Sequence, residues 1–249
     1  MFQKRTIRQE EKIMNYYTKK VEVDIHDVDF NGVARTSSLM RYIQSAAQSQ
    51  LTDNGLSYDA LKSRKRAFIL SRIKMEFSDT VRAYEKLTAT TFPCDSRGFS
   101  FLRCYSLERD GITIGKAVSV WALIDTETRG LVKVSDFELG LQTYSPLDIT
   151  LTRISHPAEM IKVGEYTVQY ENTDQNNHMN NTAYPNMFSN FLPLENKRIR
   201  SISISYLAEA PAADTLTVFR GFHNGIYYFR VQRSDGKINS EAEIELCEI

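Results

Sequence analysis

One short stretch of the sequence carries an unusual density of side chains that can do chemistry. From Asp174 to Asn181 the chain reads Asp-Gln-Asn-Asn-His-Met-Asn-Asn, which brings a carboxylate, an imidazole and several amides together. His178 can change protonation near neutral pH, and Glu209, about thirty residues further on, can act as a base or as its partner. With Asp174, these side chains predict a site that activates water. Asn176 would donate to a substrate carbonyl or hold the water.

The same residue types also have a plainer interpretation. Asp and Asn dominate turns, because their side chains bond to nearby backbone groups. Asp174, Asn176 and Asn180 are therefore equally explained as residues that cap a loop and a helix. On spacing alone, both interpretations stay open.

Other chemistries find less support. The sequence has no GxSxG elbow, and none of Cys94, Cys104 and Cys247 lies beside a histidine, which disfavours an acyl-enzyme on serine or cysteine. The glycine-rich motifs of nucleotide sites are missing, so no cofactor is predicted. The four histidines are scattered without an HxH or HExxH pair, so no metal is predicted.

The polar stretch leads directly into a helical pattern. Apolar residues at the i, i+3, i+4, i+7, i+8 spacing predict a short buried helix over Tyr184–Leu192, with Asn181 or Thr182 as its cap and Pro193 after its end. A helix N-terminus offers free N–H groups and a positive dipole end. We therefore expect this end of the helix to favour the negative charge of an oxyanion.

The rest of the chain must position these residues, and its pattern is mostly that of strands. After a polar lead-in over residues 1–20, the first half predicts one helix, from a cap at Ser37-Ser38 to Asn54-Gly55, and strands at Val21–Ile25, Arg72–Phe77, Lys86–Phe92, Phe99–Leu107 and Ile112–Ile124. From Asp136 to about Val163 the periodicity fades, as in a connection between domains. Strands then return at 166–170, 202–206, Leu216–Phe222, Ile226–Arg233 and Ile238–Leu246.

The second half repeats the first at residue level. Asp29-Phe30-Asn31-Gly32-Val33 aligns with Asp174-Gln175-Asn176-Asn177-His178, and Ile73–Phe77 aligns with Ile202–Tyr206. In this register Val33 stands opposite His178, and Thr80 stands opposite Glu209. The aspartate and asparagine persist in both halves while the acid/base residues occur in one. We therefore predict that only the second half is catalytic.

Composition narrows the class of protein further. Acidic and basic residues balance at 31 each, so no overall field favours nucleic acid or a membrane surface. The first residues lack the apolar run of a signal peptide, and no run approaches the ~20 apolar residues of a membrane span. The three cysteines form neither a CxxC unit nor a disulfide framework. We expect a cytoplasmic protein.

The sequence duplicates a unit of strand, helix and antiparallel sheet. It also has Asp-x-Asn-x-His-x-Asn-Asn before the second helix and a Glu in the following strand region. This combination resembles the acyl-acyl carrier protein (acyl-ACP) thioesterases. The resemblance covers about Val21 to Leu246. It implies an α+β, tandem (double) hot-dog fold, in which each antiparallel sheet wraps a central helix, with repeats at residues 1–145 and 146–249. It also implies hydrolysis of the fatty acyl-ACP thioester that ends fatty-acid elongation. Carried over by position, the catalytic set is Asp174, Asn176, His178 and Glu209.

The sequence departs from the plant members at one position. They have a cysteine directly after that glutamate, whereas this chain has Ala210. We therefore expect a mechanism in which Glu209 and His178 activate water, Asp174 orients the loop and Asn176 polarises the thioester carbonyl. Because no transit peptide is evident, we expect the chain to resemble a bacterial member rather than a plastid one.

The expected substrate sites follow from the division between the halves. The acyl chain is predicted to lie along the first helix, on Leu39, Tyr42, Ile43, Ala46 and Ala47. Acyl carrier proteins are acidic, and the basic cluster Lys62, Arg64, Lys65 and Arg66 is the predicted docking patch. A homodimer is left open. An acyl-CoA thioesterase, a hot-dog hydratase and a non-catalytic acyl-binding module are the remaining alternatives.

Overall fold

The computed structural model describes residues 16–249. The first part of the predicted lead-in, residues 1–15, lies outside the described residues. The first half contains β1 (Tyr17–Glu22), α1 (Thr36–Asp53), α2 (Tyr58–Ser63), β2 (Arg66–Phe77), β3 (Lys86–Pro93), β4 (Phe101–Arg109), β5 (Ile112–Asp125) and β6 (Leu131–Val132). The second half contains β7 (Ile161–Thr167), α3 (Tyr184–Ser189), β8 (Lys197–Tyr206), β9 (Thr215–His223), β10 (Ile226–Gln232) and β11 (Ile238–Glu248).

Within residues 16–249 the strands form one sheet of eleven strands. Its order is β1-β3-β4-β5-β2-β8-β11-β10-β9-β7, with β6 paired to β5, and all of these pairs are antiparallel. The first five strands belong to the first half, and the last five repeat their order in reverse. The sheet is therefore two equivalent half-sheets joined side by side.

The junction between the halves confirms the repeat in detail. In the β2–β8 pair, Lys74 lies directly opposite Ser203, with Ile73 opposite Ile204 and Met75 opposite Ile202. Lys74 and Ser203 are also equivalent residues in the predicted repeat alignment. Two equivalent residues can face each other only where a two-fold axis passes between the strands. The pseudo-two-fold axis of the chain therefore runs through this pair.

The helices lie on the inner face of the sheet and fill its core. α1 packs on β1, β3 and β4 and also contacts α3. On α3, Met187 and Phe188 are fully buried and Tyr184 is nearly so. Burying each such side chain contributes about 1.5–3 kcal/mol to the free energy of unfolding. These contacts fix the start of α3, and with it the polar loop that precedes it.

The connection between the halves covers the outer face of the first half-sheet. Ile149 packs with Phe92, Cys94, Cys104 and Val118 in a second apolar cluster. This segment was predicted from its fading periodicity, and it runs without regular strands from the end of β6 to Ile161, apart from a 3-10 turn at Val134–Asp136.

Several element boundaries differ from the sequence-based predictions. The first strand is Tyr17–Glu22 rather than Val21–Ile25, because this edge strand alternates exposed and half-buried residues, with polar side chains on both faces. Tyr17–Lys20 are thus not lead-in. β2 starts at Arg66 rather than Arg72, since its early residues pair with β5 across a bulge between Leu70 and Arg72.

The helices also differ. α2 was not predicted at all, although Ser57 caps it by accepting from the N–H of Ala60. α3 ends at Ser189, three residues before the predicted end. The predicted caps Asn181 and Thr182 instead form a 3-10 turn, whose cap is Asn180. α1 starts at Thr36, so Ser37 and Ser38 lie inside it, and their side chains do not cap it.

Candidate active site

The loop from Asp174 to His178 is a tight turn built on the Asp174 side chain. Asp174 Oδ1 accepts from the backbone N–H of Asn176 at 2.8 Å and of His178 at 3.5 Å. The turn closes through Asp174 N–H to His178 C=O at 2.9 Å and Asn177 N–H to Asp174 C=O at 3.0 Å. Asn177 takes a left-handed conformation at φ 61°, which asparagine tolerates. The carboxylate thus holds the loop that carries His178.

The first half contains the same turn. Asp29 Oδ1 accepts from the N–H groups of Asn31 and Val33, and Gly32, at φ 68°, is left-handed as Asn177 is. The scaffold interpretation of the aspartate is therefore correct for both halves. The second half differs because its turn carries His178, where the first half has Val33.

Backbone hydrogen bonds bring His178 to Glu209. Met179 N–H donates to Ala210 C=O at 2.8 Å, and Ala212 N–H donates to Asn177 C=O at 3.3 Å, so the loop is joined to the segment after β8. As a result His178 Nε2 lies 3.5 Å from Glu209 Oε2. Their side chains are 35% and 45% exposed, so water reaches both. The predicted acid/base pair is thus brought together by the fold.

An arginine side chain, Arg233, bonds to the segment after β8 that contains Glu209. Arg233 Nη1 donates to Glu209 C=O at 2.8 Å, and Arg233 Nε lies 3.3 Å from Asp214 Oδ2. The first half has the matching contacts, from Arg109 Nη1 to Thr80 C=O at 3.0 Å and to Glu85 at 2.8 Å. Neither arginine was predicted from the sequence. A signal existed, because the register that aligns Ile73–Phe77 with Ile202–Tyr206 also aligns the two carboxylates, Glu85 and Asp214.

Tyr184, which is buried, and Tyr206, which is partly buried, support the loop from the side of α3. Tyr206 Oη donates to Asn181 C=O at 3.0 Å, and its ring meets that of Tyr184 edge-on at 5.0 Å. Burial raises the pKa of Tyr184 to about 12 and raises that of Tyr206 as well. Both hydroxyls therefore stay neutral near pH 7, which suits a structural role.

Asn176 lies at the mouth of a cavity of about 750 Å³. The second half contributes Gln175, Asn176, Asn180 and Thr182 to its wall, and the first half contributes the rest, including Ala47 and Leu51 on α1, Tyr58 and Leu61 on α2, and Phe68, Phe101 and Trp121 on the sheet. His178 and Glu209 are not part of this wall. Both side chains of the predicted acid/base pair are partly exposed to solvent, and Asn176, on the same loop as His178, lines the cavity.

Of the residues predicted to line the acyl channel, Ala47 lies on this wall. Ile43 and Ala46 are buried in the main core, Leu39 borders another cavity of about 430 Å³, and Tyr42 donates to Asp27. The apolar face of α1 packs on its surroundings, so the cavity meets the neighbouring face, at Arg41, Gln44, Gln48 and Leu51. The geometry supports substrate contact for Ala47 and gives no such support for the other four.

The predicted basic cluster, Lys62, Arg64, Lys65 and Arg66, spans the end of α2 and the start of β2. Lys65 pairs with Glu127 at 2.5 Å, and Arg66 pairs with Asp125. Lys62 lies over the ring of Tyr58 and lines the cavity, and Arg64 is exposed. Two of the four charges are thus partly neutralised within the chain.

Within residues 16–249 no three His, Cys, Asp or Glu side chains converge to form a metal site. In the same residues, no helix has the length and apolar character to cross a bilayer.

Two equivalent antiparallel half-sheets, each wrapped over a helix, define a protein of the double hot-dog class. The family models identify it further. The acyl-ACP thioesterase N-terminal domain matches residues 14–139, and the acyl-ACP thioesterase C-terminal domain matches residues 155–247. The chain therefore belongs to the acyl-ACP thioesterase family and is a thioester hydrolase, as the sequence motif indicated.

Solved structures agree on the fold. An acyl-ACP thioesterase from Bacteroides thetaiotaomicron superposes with a TM-score of 0.86 at 24% identity, covering 93% of this chain and 98% of that one. The 12:0-ACP thioesterase from Umbellularia californica gives 0.81 at 15% identity, covering 94% and 98%. At such identities the likeness shows the fold, and it confirms the predicted double hot-dog. A comparison with curated protein sequences finds no match.

The equivalent turns generate a matched test of Asp174. Asp29→Ala and Asp174→Ala each remove the acceptor of two backbone N–H groups, so each should lower the free energy of unfolding by about 1–2 kcal/mol. Only Asp174→Ala should also reduce turnover, by roughly tenfold or more, because displacing a catalytic group lowers the rate. Thermal melts and steady-state kinetics measure the two effects. Equal losses of turnover in both variants would contradict this assignment.

Proposed function

We propose that this protein hydrolyses the thioester of fatty acyl-ACP, releasing a free fatty acid and the carrier thiol, by direct attack of water. The observation that supports this most is the placement of His178 Nε2 3.5 Å from Glu209 Oε2, on the same loop as Asn176, which lines the cavity. Both side chains of the pair are partly exposed, so water reaches them directly from solvent.

In the proposed reaction the acyl chain occupies the cavity and the thioester carbonyl lies at Asn176. The His178–Glu209 pair takes a proton from water as the new C–O bond forms. The side-chain amide of Asn176 stabilises the oxyanion by donating to it. The C–S bond then breaks and the proton passes to the leaving thiolate. Ala210 has no nucleophilic side chain, so no covalent intermediate forms at that position.

The halves divide the work in this proposal. Residues 1–145 supply most of the cavity, through α1, α2 and the sheet. Residues 146–249 supply Asp174, Asn176, His178 and Glu209. Because both halves are present in one chain, the proposed site needs no second copy, and a homodimer is not required for it.

The proposed partner is an acyl carrier protein, which is acidic. Lys62, near the end of α2, lines the cavity, and the exposed Arg64 follows this helix directly, so both offer positive charge for docking. Lys65 and Arg66 contribute less, because each already pairs with a carboxylate. A cytoplasmic location suits this partner, and the cysteines of the described residues are all free thiols.

The function is tested by offering the purified protein matched chain-length series of acyl-ACP and acyl-CoA while following thiol release. We expect faster turnover of the acyl-ACP series. Faster turnover of acyl-CoA would assign the protein to the acyl-CoA thioesterases. Tight acyl-ACP binding without thiol release would identify a binding module, and hydration of enoyl substrates a hydratase.

The acid/base pair gives the sharpest mutational test. His178→Ala and Glu209→Gln should each lower kcat by about two to four decades, the usual effect of losing a general acid or base. His223→Ala, at an exposed histidine at the end of β9, is the control. A decrease below threefold in both variants, with unchanged melting, would remove the pair from the mechanism.

The docking patch is tested by charge reversal. Arg64→Glu should raise KM for acyl-ACP severalfold and weaken its salt dependence, since long-range attraction acts mainly on encounter. Its kinetics with short acyl-CoA should not change. Arg153→Glu, at an exposed arginine of the connection, is the control. Equal losses with both substrates would indicate damage to the fold and not to docking.

Adjacent alanines on α1 test the cavity. Ala47 lies on the cavity wall, whereas Ala46 is fully buried in the core. Ala47→Phe should move the preference toward shorter chains by about one to two decades, since each buried methylene contributes roughly 0.8 kcal/mol. Ala46→Phe should instead lower stability by about 1–3 kcal/mol through overpacking. The hydrolysis profile across the acyl series, with melts, separates these effects. An unchanged profile for Ala47→Phe would place the acyl chain elsewhere.

A further inference from the structure

A side chain from the first half contacts the catalytic loop of the second. Tyr58, the first residue of α2, donates from its hydroxyl to Asn176 Oδ1 at 3.1 Å. The two residues are 118 positions apart in the sequence. Both border the cavity, so the hydrogen bond crosses its mouth.

The direction of this hydrogen bond decides what Asn176 offers to a substrate. A side-chain amide has one acceptor oxygen and one nitrogen with two donor hydrogens, and its two flipped orientations have nearly the same shape. When Oδ1 accepts from Tyr58, the amide nitrogen points the other way. A thioester carbonyl needs donors, and an amide flipped by 180° would present it with a second oxygen.

The equivalent residue of the first half shows the opposite use of the same amide. Asn31 Nδ2 donates to Leu194 C=O at 2.6 Å and to Lys197 C=O at 3.2 Å, while its Oδ1 accepts from Asn196 N–H at 3.3 Å. Both donor hydrogens of Asn31 are thus hydrogen-bonded to backbone carbonyls. Each loop asparagine is bonded by the other half of the chain. In Asn176, however, the bond from Tyr58 involves only the amide oxygen.

The position of Tyr58 is itself supported. The Nζ atom of Lys62, one helical turn further along α2, lies 5.9 Å from the centre of the Tyr58 ring. Such a cation attracts the face of the ring. Ser57 fixes the start of the helix by accepting from Ala60 N–H at 3.2 Å. The phenol is therefore presented by a capped helix and not by a loop.

We infer that Tyr58 is a positioning residue for the hydrolysis proposed above: its hydroxyl holds Asn176 Oδ1, so that the amide N–H groups of Asn176 face the thioester carbonyl. The first half thereby contributes to the chemistry as well as to the cavity. The inference rests on the proposed function, since it assigns Asn176 the role of carbonyl donor.

The test compares Tyr58→Phe, Asn176→Ala and the double variant. Asn176→Ala should lower kcat by about two to three decades, as losing an oxyanion donor does. Tyr58→Phe should lower kcat roughly tenfold with KM within twofold, because the amide still reaches the productive orientation for part of the time. In the Asn176→Ala background, Tyr58→Phe should have no further effect. Tyr170→Phe removes the hydroxyl of a 94% exposed tyrosine and is the control.

A second measurement does not depend on turnover. In ¹⁵N spectra of the free protein, the side-chain NH₂ signals of Asn176 are assigned by their loss in Asn176→Ala. Tyr58→Phe should shift or broaden them, and Tyr170→Phe should not. Additive kinetic effects, a change of kcat below twofold, or unchanged NH₂ signals would each overturn the inference. Absence of thioester hydrolysis by the unmodified protein, with the NH₂ shift present, would reject the proposed function and leave the Tyr58–Asn176 contact standing.

Discussion

The candidate site depends most on one buried backbone hydrogen bond, from Met179 N–H to Ala210 C=O. It joins the loop that carries His178 to the segment that carries Glu209, and both of its residues are buried. A hydrogen bond that is shielded from water is stronger than an exposed one, and leaving its groups unpaired is costly. The acid/base pair itself is exposed and 3.5 Å apart, so it cannot hold these elements together. The scaffold assembles the pair, and the pair remains open to solvent.

The same scaffold exists in both halves, which separates structural from chemical roles. Ala34 N–H donates to Val81 C=O just as Met179 N–H donates to Ala210 C=O. The turn built on the aspartate side chain and the left-handed residue within it are also duplicated. So is the arginine that donates to a backbone carbonyl after β2 or β8. A role shared by both halves is structural, and a residue that differs between them is a candidate for chemistry. By that criterion His178 and Glu209 stand out, and the two loop asparagines differ in their surroundings and not in their type.

Much of this could be predicted from the sequence, because the information was local or repeated. Alternating apolar residues located most strands, and the repeat register aligned Asp29 with Asp174, the residues on which the two equivalent turns are built. Helix α2 was missed because six residues with a single buried leucine carry almost no periodic signal. The residues predicted on α1 differ from its cavity wall for a physical reason: apolar residues such as Ile43 pack in the core, and the neighbouring face that meets the cavity is mostly polar. Tyr58 was missed because a contact between positions 118 residues apart leaves no mark in either segment.

The pseudo-two-fold axis between Lys74 and Ser203 has a consequence for how such a protein can evolve. In a dimer of identical subunits, symmetry forces every substitution to occur in both copies, so a change that widens one cavity also alters the other site. Here the two halves are separate stretches of one gene product. Each can accumulate its own changes, and the halves already differ where Val33 and Thr80 align with His178 and Glu209. Fusion thus allows selectivity for the acyl chain and reactivity toward the thioester to be selected independently.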